Sequence, residues 1–319
     1  MDTFESLLCD EVPSVFCLQE TKMKSNKCIK TNSTKRYKIF ELNRKDRDGG
    51  GICIGVLKDL QPALIEKGDE ETECIAVEIW VDNFPVRIVT AYGPQLSDRN
   101  DKKDIFWEFL ERQALQAHED GSGFILQMDS NAHVGPDVIR NDPNPQNSNG
   151  KLLCEFLNRQ TQLSLINALP LCEGLISRTR KTIVGVEKSI LDVFITCDRI
   201  KPFISKMIID EDRKLVLSNF NNVKSGGVVT ESDHNVEILE LNLVLQKNKP
   251  ERLEIFKFSD ESSQANFKFL TSNTEDFTNC FENNLDFESQ IRLWRKTFKD
   301  YLHKSFKKVR KFKSLMLMN

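Results

Sequence analysis

Nowhere in this chain do two cysteines form a C-x-x-C pair; the nine, at positions 9, 17, 28, 53, 74, 154, 172, 197 and 280, are scattered singly. Most sit in apolar runs such as Val15-Phe16-Cys17-Leu18, so they read as small core residues in a reducing compartment and argue against a disulfide or metal framework. No window approaches the roughly 20 consecutive apolar residues of a membrane span, and no membrane role is expected. The start, Met1-Asp2-Thr3-Phe4-Glu5-Ser6, has no basic region leading into an apolar stretch and a small-residue cleavage site, so an intracellular protein is expected. The absence of any repeat of roughly 20 to 50 residues disfavours a solenoid.

What is present is ordinary for a globular protein: 319 residues, 39% apolar and 29% charged, with a mean hydropathy of -0.42. The net charge is only -3, but it is unevenly spread. Between Arg292 and Lys313 ten Lys/Arg face a single acid, Asp300. The rest is correspondingly acidic, so a nucleic-acid surface in the main body must be a local patch.

Pattern and punctuation divide the chain into a body over 1–245, a connector over 246–287 that opens with Lys247-Asn248-Lys249-Pro250, and a basic amphipathic helix over 288–319. In the last, Ile291, Trp294, Phe298, Leu302, Phe306, Val309 and Phe312 recur at steps of three or four. That helix is expected to dock on a neighbouring domain, or to lie on nucleic acid or serve nuclear import through Lys307-Lys308-Val309-Arg310-Lys311.

Within the body, helices are predicted over 1–11, 101–118 and 151–160, the last capped by Asn149 or Ser148. Strands are predicted over 14–18, 52–57, 74–81, 84–92, 124–128, 163–167, 190–197, 206–210 and 236–245, with Asp82-Asn83 as a hairpin turn and 22–38 as a basic loop. Many strands with few helices favour two packed sheets with outer helices, an α/β four-layer α/β/β/α sandwich.

Several chemically useful residues lie at the ends of apolar runs, where a sheet holds side chains rigidly. Glu20 follows the 14–18 strand as a lone acid and is the best candidate for a Mg²⁺ ligand, with Mn²⁺ as the alternative metal. Asp129 and Asn131 follow the 124–128 strand two residues apart, so an extended chain points both the same way: one to orient or deprotonate water, the other to donate to a phosphate oxygen. Asp-Ser-Asn is also ordinary turn chemistry. Tyr92, at its strand end before Gly93-Pro94, offers a phenol to the same phosphate.

Asp192 sits inside Ile190-Leu191-Asp192-Val193-Phe194, where a carboxylate is costly without a partner. The chain has four histidines, of which His118 and His303 fall on predicted helices. His234, in Ser232-Asp233-His234, is the favoured partner and His133 the second.

Taken in order, Leu18-Gln19-Glu20-Thr21, Ala91-Tyr92-Gly93-Pro94, Asp129-Ser130-Asn131-Ala132-His133, Asn147-Ser148-Asn149-Gly150-Lys151, Ser177-Arg178-Thr179-Arg180, Ser189-Ile190-Leu191-Asp192 and Ser232-Asp233-His234 resemble the endonuclease/exonuclease/phosphatase superfamily, and more closely the endonuclease domain of non-LTR retrotransposons. The resemblance runs over about 1–245. It implies a metal-dependent DNA-nicking hydrolase in which Glu20 and Asp233 serve the metal, Tyr92 faces the phosphate, Asp129 and Asn131 orient water, and Asp192 partners His234. Two departures stand out. Asp129 follows Gln127-Met128 and precedes Ser130, where the family usually has a glycine before and an apolar residue after. Family members also begin with a strand ending in a Trp-Asn-x-x-Gly-like segment, and this chain starts at the helix that follows it, so an N-terminally truncated sandwich is expected. An inactive element remnant that binds nucleic acid or a partner, and a lipid or sugar phosphatase of the same fold, are the alternative readings.

Overall fold

Alternation along one short strand builds two layers at once. In β3 (Ile52–Leu57), Ile52, Ile54 and Val56 enter the main core, while Cys53 belongs to a smaller cluster on the other face with Leu8, Phe16 and Tyr37. Gly55 shares that outer face, and a Cβ there would fall 2.2 Å from the Phe16 ring of the neighbouring strand. The glycine is what lets the ring lie flat on the sheet.

The computed structural model describes residues 8, 12–23, 29, 33–44, 50–81, 84–214, 232–242, 255–256, 297–298 and 308–309. The chain divides into two compact units, Met1–Gln246 and Lys247–Asn319. In the second, Ile255–Phe256 pairs antiparallel with Lys308–Val309, and residues 297 and 298 are helical. Lys308 and Val309 are thus extended where a helix was expected; the remainder of the connector and the basic helix lies outside the described residues.

In the first unit, β1 (Val15–Leu18), β2 (Tyr37–Leu42) and β3 form a three-stranded antiparallel sheet with β3 in the middle. The larger sheet has six strands in the order β4-β5-β6-β7-β12-β8, from β4 (Ala63–Lys67), β5 (Cys74–Val81), β6 (Phe84–Tyr92), β7 (Gly123–Asp129), β8 (Leu163–Leu165) and β12 (Asp192–Cys197). All its pairings are antiparallel except β6 with β7, which are joined through helix α1 (Asn100–Glu119). A second helix, α2 (Ser148–Arg159), follows β7. A further three-stranded sheet has the order β14-β13-β9, from β9 (Cys172–Glu173), β13 (Ile204–Ile209) and β14 (Glu237–Leu241). Strands β10 (Arg178–Thr182) and β11 (Gly185–Ser189) form a separate hairpin.

All seven residues of β7 are buried, as expected of a strand covered on both faces. The same core contains Phe106, Trp107 and Leu110 of α1, Phe156 of α2 and the inward residues of β3. Burying each such side chain contributes about 1.5–3 kcal/mol, which makes this the region that dominates stability. Helix, six-stranded sheet and three-stranded sheet are therefore stacked layers of a mixed α/β fold. Of the expected outer helix over 1–11, Leu8 is helical and fully buried, and its neighbours lie outside the described residues.

The predicted strands over 52–57, 74–81 and 84–92 have those bounds in the structure. Their turn at 82–83 is outside the described residues. Elsewhere bounds shift, and three of the differences have a clear local cause. Tyr37 and Lys38, assigned to the basic loop, open β2, because Tyr37, Ile39 and Phe40 pair along β3. The 163–167 strand stops at Leu165, where a 3-10 turn over Ile166–Ala168 takes over. Helix α2 is capped by Asn147 and not by Asn149 or Ser148: the Asn147 side chain accepts the Gly150 N–H at 2.7 Å. Among the described cysteines, 17, 53, 74, 154, 172 and 197 are all free, and 53, 74 and 197 are buried. No described helix is long and apolar enough to cross a membrane.

Candidate active site

Sheet register alone lines up three of the predicted residues. In the parallel pairing of β6 with β7, Tyr92 stands opposite Asp129; in the antiparallel pairing of β7 with β12, Asp129 stands opposite Asp192. Asp192 is the first residue of β12 and not, as expected, in the middle of its strand. Both acids are buried, at 3% and 6% exposure, and cross-strand neighbours of like charge repel unless something intervenes.

His234 intervenes. Its Nδ1 lies 2.7 Å from Asp192 Oδ2 and its Nε2 lies 3.9 Å from Asp129 Oδ2. A one-residue bridge between His234 and Arg178 of β10 fixes the imidazole's backbone. His133, the other candidate partner, is elsewhere: among the described residues its Nδ1 is buried without a hydrogen bond, and burial lowers its pKa.

Burial would disfavour the His234 imidazolium, but the charge and hydrogen bond of Asp192, aided by Asp129 and Asp233, hold its pKa up to about 10. Asp129 moves the other way from an ordinary carboxyl. Burial and then the Asp192 charge push it up, and His234 opposes them, leaving it at about 7. The pair is thus an imidazolium next to an acid poised to exchange a proton near neutrality. Glu237, the first residue of β14, is a further carboxyl whose oxygens are buried and unpartnered among the described residues; burial and Asp192 push it up as well.

Glu20 lies two residues past β1. Its backbone is left-handed, with φ +50°, and Tyr92 donates its phenolic hydrogen to Glu20 Oε1 at 2.6 Å. Lys22 Nζ is 3.1 Å from Oε2. Burial raises the Glu20 pKa, but Tyr92 and Lys22 outweigh it and the carboxyl stays below its usual range. Tyr92 is raised by burial and by Glu20, so it remains a donor.

Asn131 departs from the extended geometry assumed for it. Its φ is +49°, its amide Nδ2 donates to the Gly93 carbonyl at 2.8 Å, and its N–H donates to Asp129 Oδ1 at 3.1 Å. The left-handed turn lets it brace Asp129 and the Tyr92-Gly93 segment together. Asp233 pairs with Arg178 at 2.8 Å, and although burial raises its pKa, Arg178 holds it below the usual range. Among the described residues, the side chains whose ligand atoms lie mutually within 4.8 Å are Asp129, Asp192 and His234.

A set of braces went unassigned in the sequence. Ser177 Oγ accepts the N–H groups of Leu191 and Asp192 at 2.8 and 3.0 Å. Asn167 donates to the Asp192 carbonyl and accepts from the Phe194 N–H. Asn149, 1% exposed, donates to the carbonyls of Pro94 and Asn131. Ser177 and Asn149 fall within motifs that carried the resemblance, yet their roles depend on partners 14 to 55 residues away, which spacing does not reveal.

No protein-family model matches the sequence, and no curated protein is similar to it. Solved structures are similar in fold. The endonuclease domain of TRAS1, a telomere-specific non-LTR retrotransposon, matches with a TM-score of 0.50 at 16% identity, over 76% of this chain and 91% of that one. The protein has the endonuclease/exonuclease/phosphatase fold. An AP endonuclease from Archaeoglobus fulgidus matches with a TM-score of 0.51 at 14% identity, over 75% and 93% of the two chains. A 3' phosphatase, NExo from Neisseria, bound to product DNA hairpin, matches with a TM-score of 0.53 at 15% identity, over 75% and 92%. At these identities the likeness establishes the fold, and chemistry has to be argued from the side chains.

Proposed function

We propose that this chain is a divalent-metal-dependent phosphodiester hydrolase that nicks DNA and derives from a retroelement. The observation that carries the reading is Asp129 facing Asp192 across one strand pair with His234 set between them. Phosphodiester cleavage needs an activated water, stabilisation of charge on the phosphorane and help for the leaving oxygen. Asp129, at about 7, takes the proton of the water whose oxygen bonds to phosphorus as the P–O bond to the leaving oxygen breaks, and the departing oxygen takes up a proton from solvent. His234, held as an imidazolium by Asp192, donates to a phosphate oxygen and offsets the developing charge. Tyr92 keeps its proton and turns it toward Glu20. Asn131 holds Asp129 in place.

The donor chemistry fits a hard cation: Glu20 is ionised and half-buried, and Asp233 is kept ionised by Arg178. Glu20 with Asp233 would hold Mg²⁺, or Mn²⁺, which when bound supplies neutralisation of the phosphate charge.

DNA as substrate is supported by the β10–β11 hairpin beside His234. Arg180, Lys181 and Lys188 are exposed on it, Arg178 is half-buried at its base, and Ile183 and Val184 at the tip are fully exposed. Cations reach phosphates and apolar tips can wedge between bases. The likeness to the TRAS1 domain supports the retroelement origin, and Lys307-Lys308-Val309-Arg310-Lys311 supports action in the nucleus. The test is nicking of supercoiled plasmid in Mg²⁺. Nicking that is lost with EDTA and in Asp129→Ala is the expected result; metal-independent nicking, or an Asp129→Ala chain as active as wild type, would overturn the reading. Release of phosphate from a 3'-phosphorylated oligonucleotide or an inositol phosphate, without nicking, would assign a phosphatase.

A further inference from the structure

Behind Glu20 and Tyr92 stand an arginine, a glutamate and two glycines that touch none of the clustered acids. Glu73, the residue before β5, is 3% exposed and its carboxylate is divided between two partners. Oε1 accepts the Gly51 N–H at 2.6 Å, and Oε2 is ion-paired with the Arg44 guanidinium, whose side chain is 15% exposed. The Glu73 carbonyl accepts the Tyr92 N–H at 2.9 Å, and the Arg44 guanidinium carbon lies 6.0 Å from the centre of the Tyr92 ring. The phenol then reaches Glu20.

A second route leads to the same glutamate. The carbonyls of Gly50 and Gly51 accept the N–H groups of Lys22 and Thr21 at 2.8 and 3.0 Å, which clamps the chain just after Glu20 in its left-handed turn. Gly50 has φ +64°, and a Cβ there would fall 2.2 Å from the Arg44 guanidinium carbon, so the turn closes over the arginine only as glycine. Glu20 is therefore held by its side chain through Tyr92 and by its backbone through the glycine turn, and both holds end on Glu73.

A buried ion pair is a poor way to gain stability, since apolar residues of similar volume do as well or better. Its use here is directional. A carboxylate with one oxygen on each partner fixes an amide and a guanidinium at once, and the planar guanidinium orients a ring, which neither lysine nor an apolar side chain does. We infer that the buried Arg44–Glu73 pair is a positioning device that sets the Glu20 carboxylate and the Tyr92 phenol for a divalent cation and a phosphate. The inference rests on the functional reading above. Arg44 and Glu73 are positioning residues, acting through Tyr92 and the Gly50-Gly51 turn.

The test uses the full chain labelled with 3-fluorotyrosine and Mn²⁺ as the probe. The chain has three tyrosines, and the Tyr92 resonance is assigned by its loss in Tyr92→Phe. In wild type, Mn²⁺ should broaden the Tyr92 signal selectively. Glu73→Gln and Arg44→Gln should shift that signal and weaken Mn²⁺ binding by about tenfold or more, as losing an outer support of a metal ligand does, and Arg44→Lys, which keeps the charge but not the fork, should weaken it less. Glu20→Gln should abolish the broadening. If Glu20→Gln does so while Glu73→Gln and Arg44→Gln bind Mn²⁺ as wild type, the positioning role falls and the metal site stands. If Glu20→Gln binds as wild type, the site reading itself falls and takes the inference with it. Should either charge-removing variant fail to fold by circular dichroism, Arg44→Lys decides: an unshifted Tyr92 signal with wild-type Mn²⁺ affinity would overturn the inference.

Discussion

The two corners of the candidate site are built by different means. At the Asp129–Asp192–His234 corner, position comes from sheet register: the acids are opposite residues of two paired, buried strands, and moving either would unzip the ladder. At the Glu20–Tyr92 corner, the acid sits beyond a four-residue strand, in a left-handed backbone, and is held by a phenol, a glycine turn and a buried ion pair. The first corner can hold two facing acids because the buried ladder fixes them and His234 stands between them. The second has to be braced by side chains, so its geometry is easier to disturb by substitutions remote from the phosphate.

The largest expected effect tests the stiff corner. Asp129→Asn should lower plasmid nicking by about 10²–10⁴-fold while leaving thermal stability unchanged or raised, because the substitution also removes the repulsion with Asp192. A large fall in melting temperature would mean that the carboxylate supports the fold and would break the contrast.

Proton linkage gives the next test, read by denaturant unfolding of the metal-free chain as a function of pH. His234 has its pKa raised from 6.5 to about 10, so its contribution to stability is complete below 6.5 and is lost as pH rises to 10. Asp129 has its pKa raised from 3.8 to about 7, so folding favours its protonated form and stability falls as pH climbs from 3.8 to 7. Each group contributes a slope of at most about 1.4 kcal/mol per pH unit inside its window. His234→Gln should flatten the upper window and extend the lower one to higher pH, because the imidazolium that opposes the rise of the Asp129 pKa is gone. A profile that rises between pH 7 and 10 in wild type would contradict the charge assignment.

At the braced corner, Tyr92→Phe removes one hydrogen bond to a carboxylate and should cost about 1.5–3 kcal/mol of stability with a fall in nicking. The hairpin should show the reverse pattern. Ile183→Ser with Val184→Ser, at fully exposed positions, should change stability by less than about 0.5 kcal/mol yet weaken DNA binding. The smallest effect on nicking is expected at Asn147→Ala, which removes the cap of α2 and should cost about 1 kcal/mol of stability without altering the pH profile.

Much of this was readable beforehand where local pattern and tertiary packing agree. The runs at 52–57, 74–81 and 84–92 are β-branched, apolar and bounded by turn residues, and they are strands. Asp192 needed a partner because a buried acid is costly, and with so few histidines the choice of His234 was narrow; the structure pairs them. Strand β2 was hidden among lysines, because its burial comes from pairing with β3 and not from its own composition. Arg44 and Glu73 carry no local signal, since nothing in the sequence marks an ion pair formed 29 residues apart.

The sequence by itself determined which residues could carry charge at strand ends, and it did so through alternation and punctuation, which are local properties of the chain. Tertiary structure alone decided which of those charges meet. Register set Asp129 against Asp192, and the left-handed turns at Glu20 and Asn131 redirected side chains that an extended chain would have pointed elsewhere. Proton affinities followed from that placement, because burial and the distance between charges exist only once the sheets have packed.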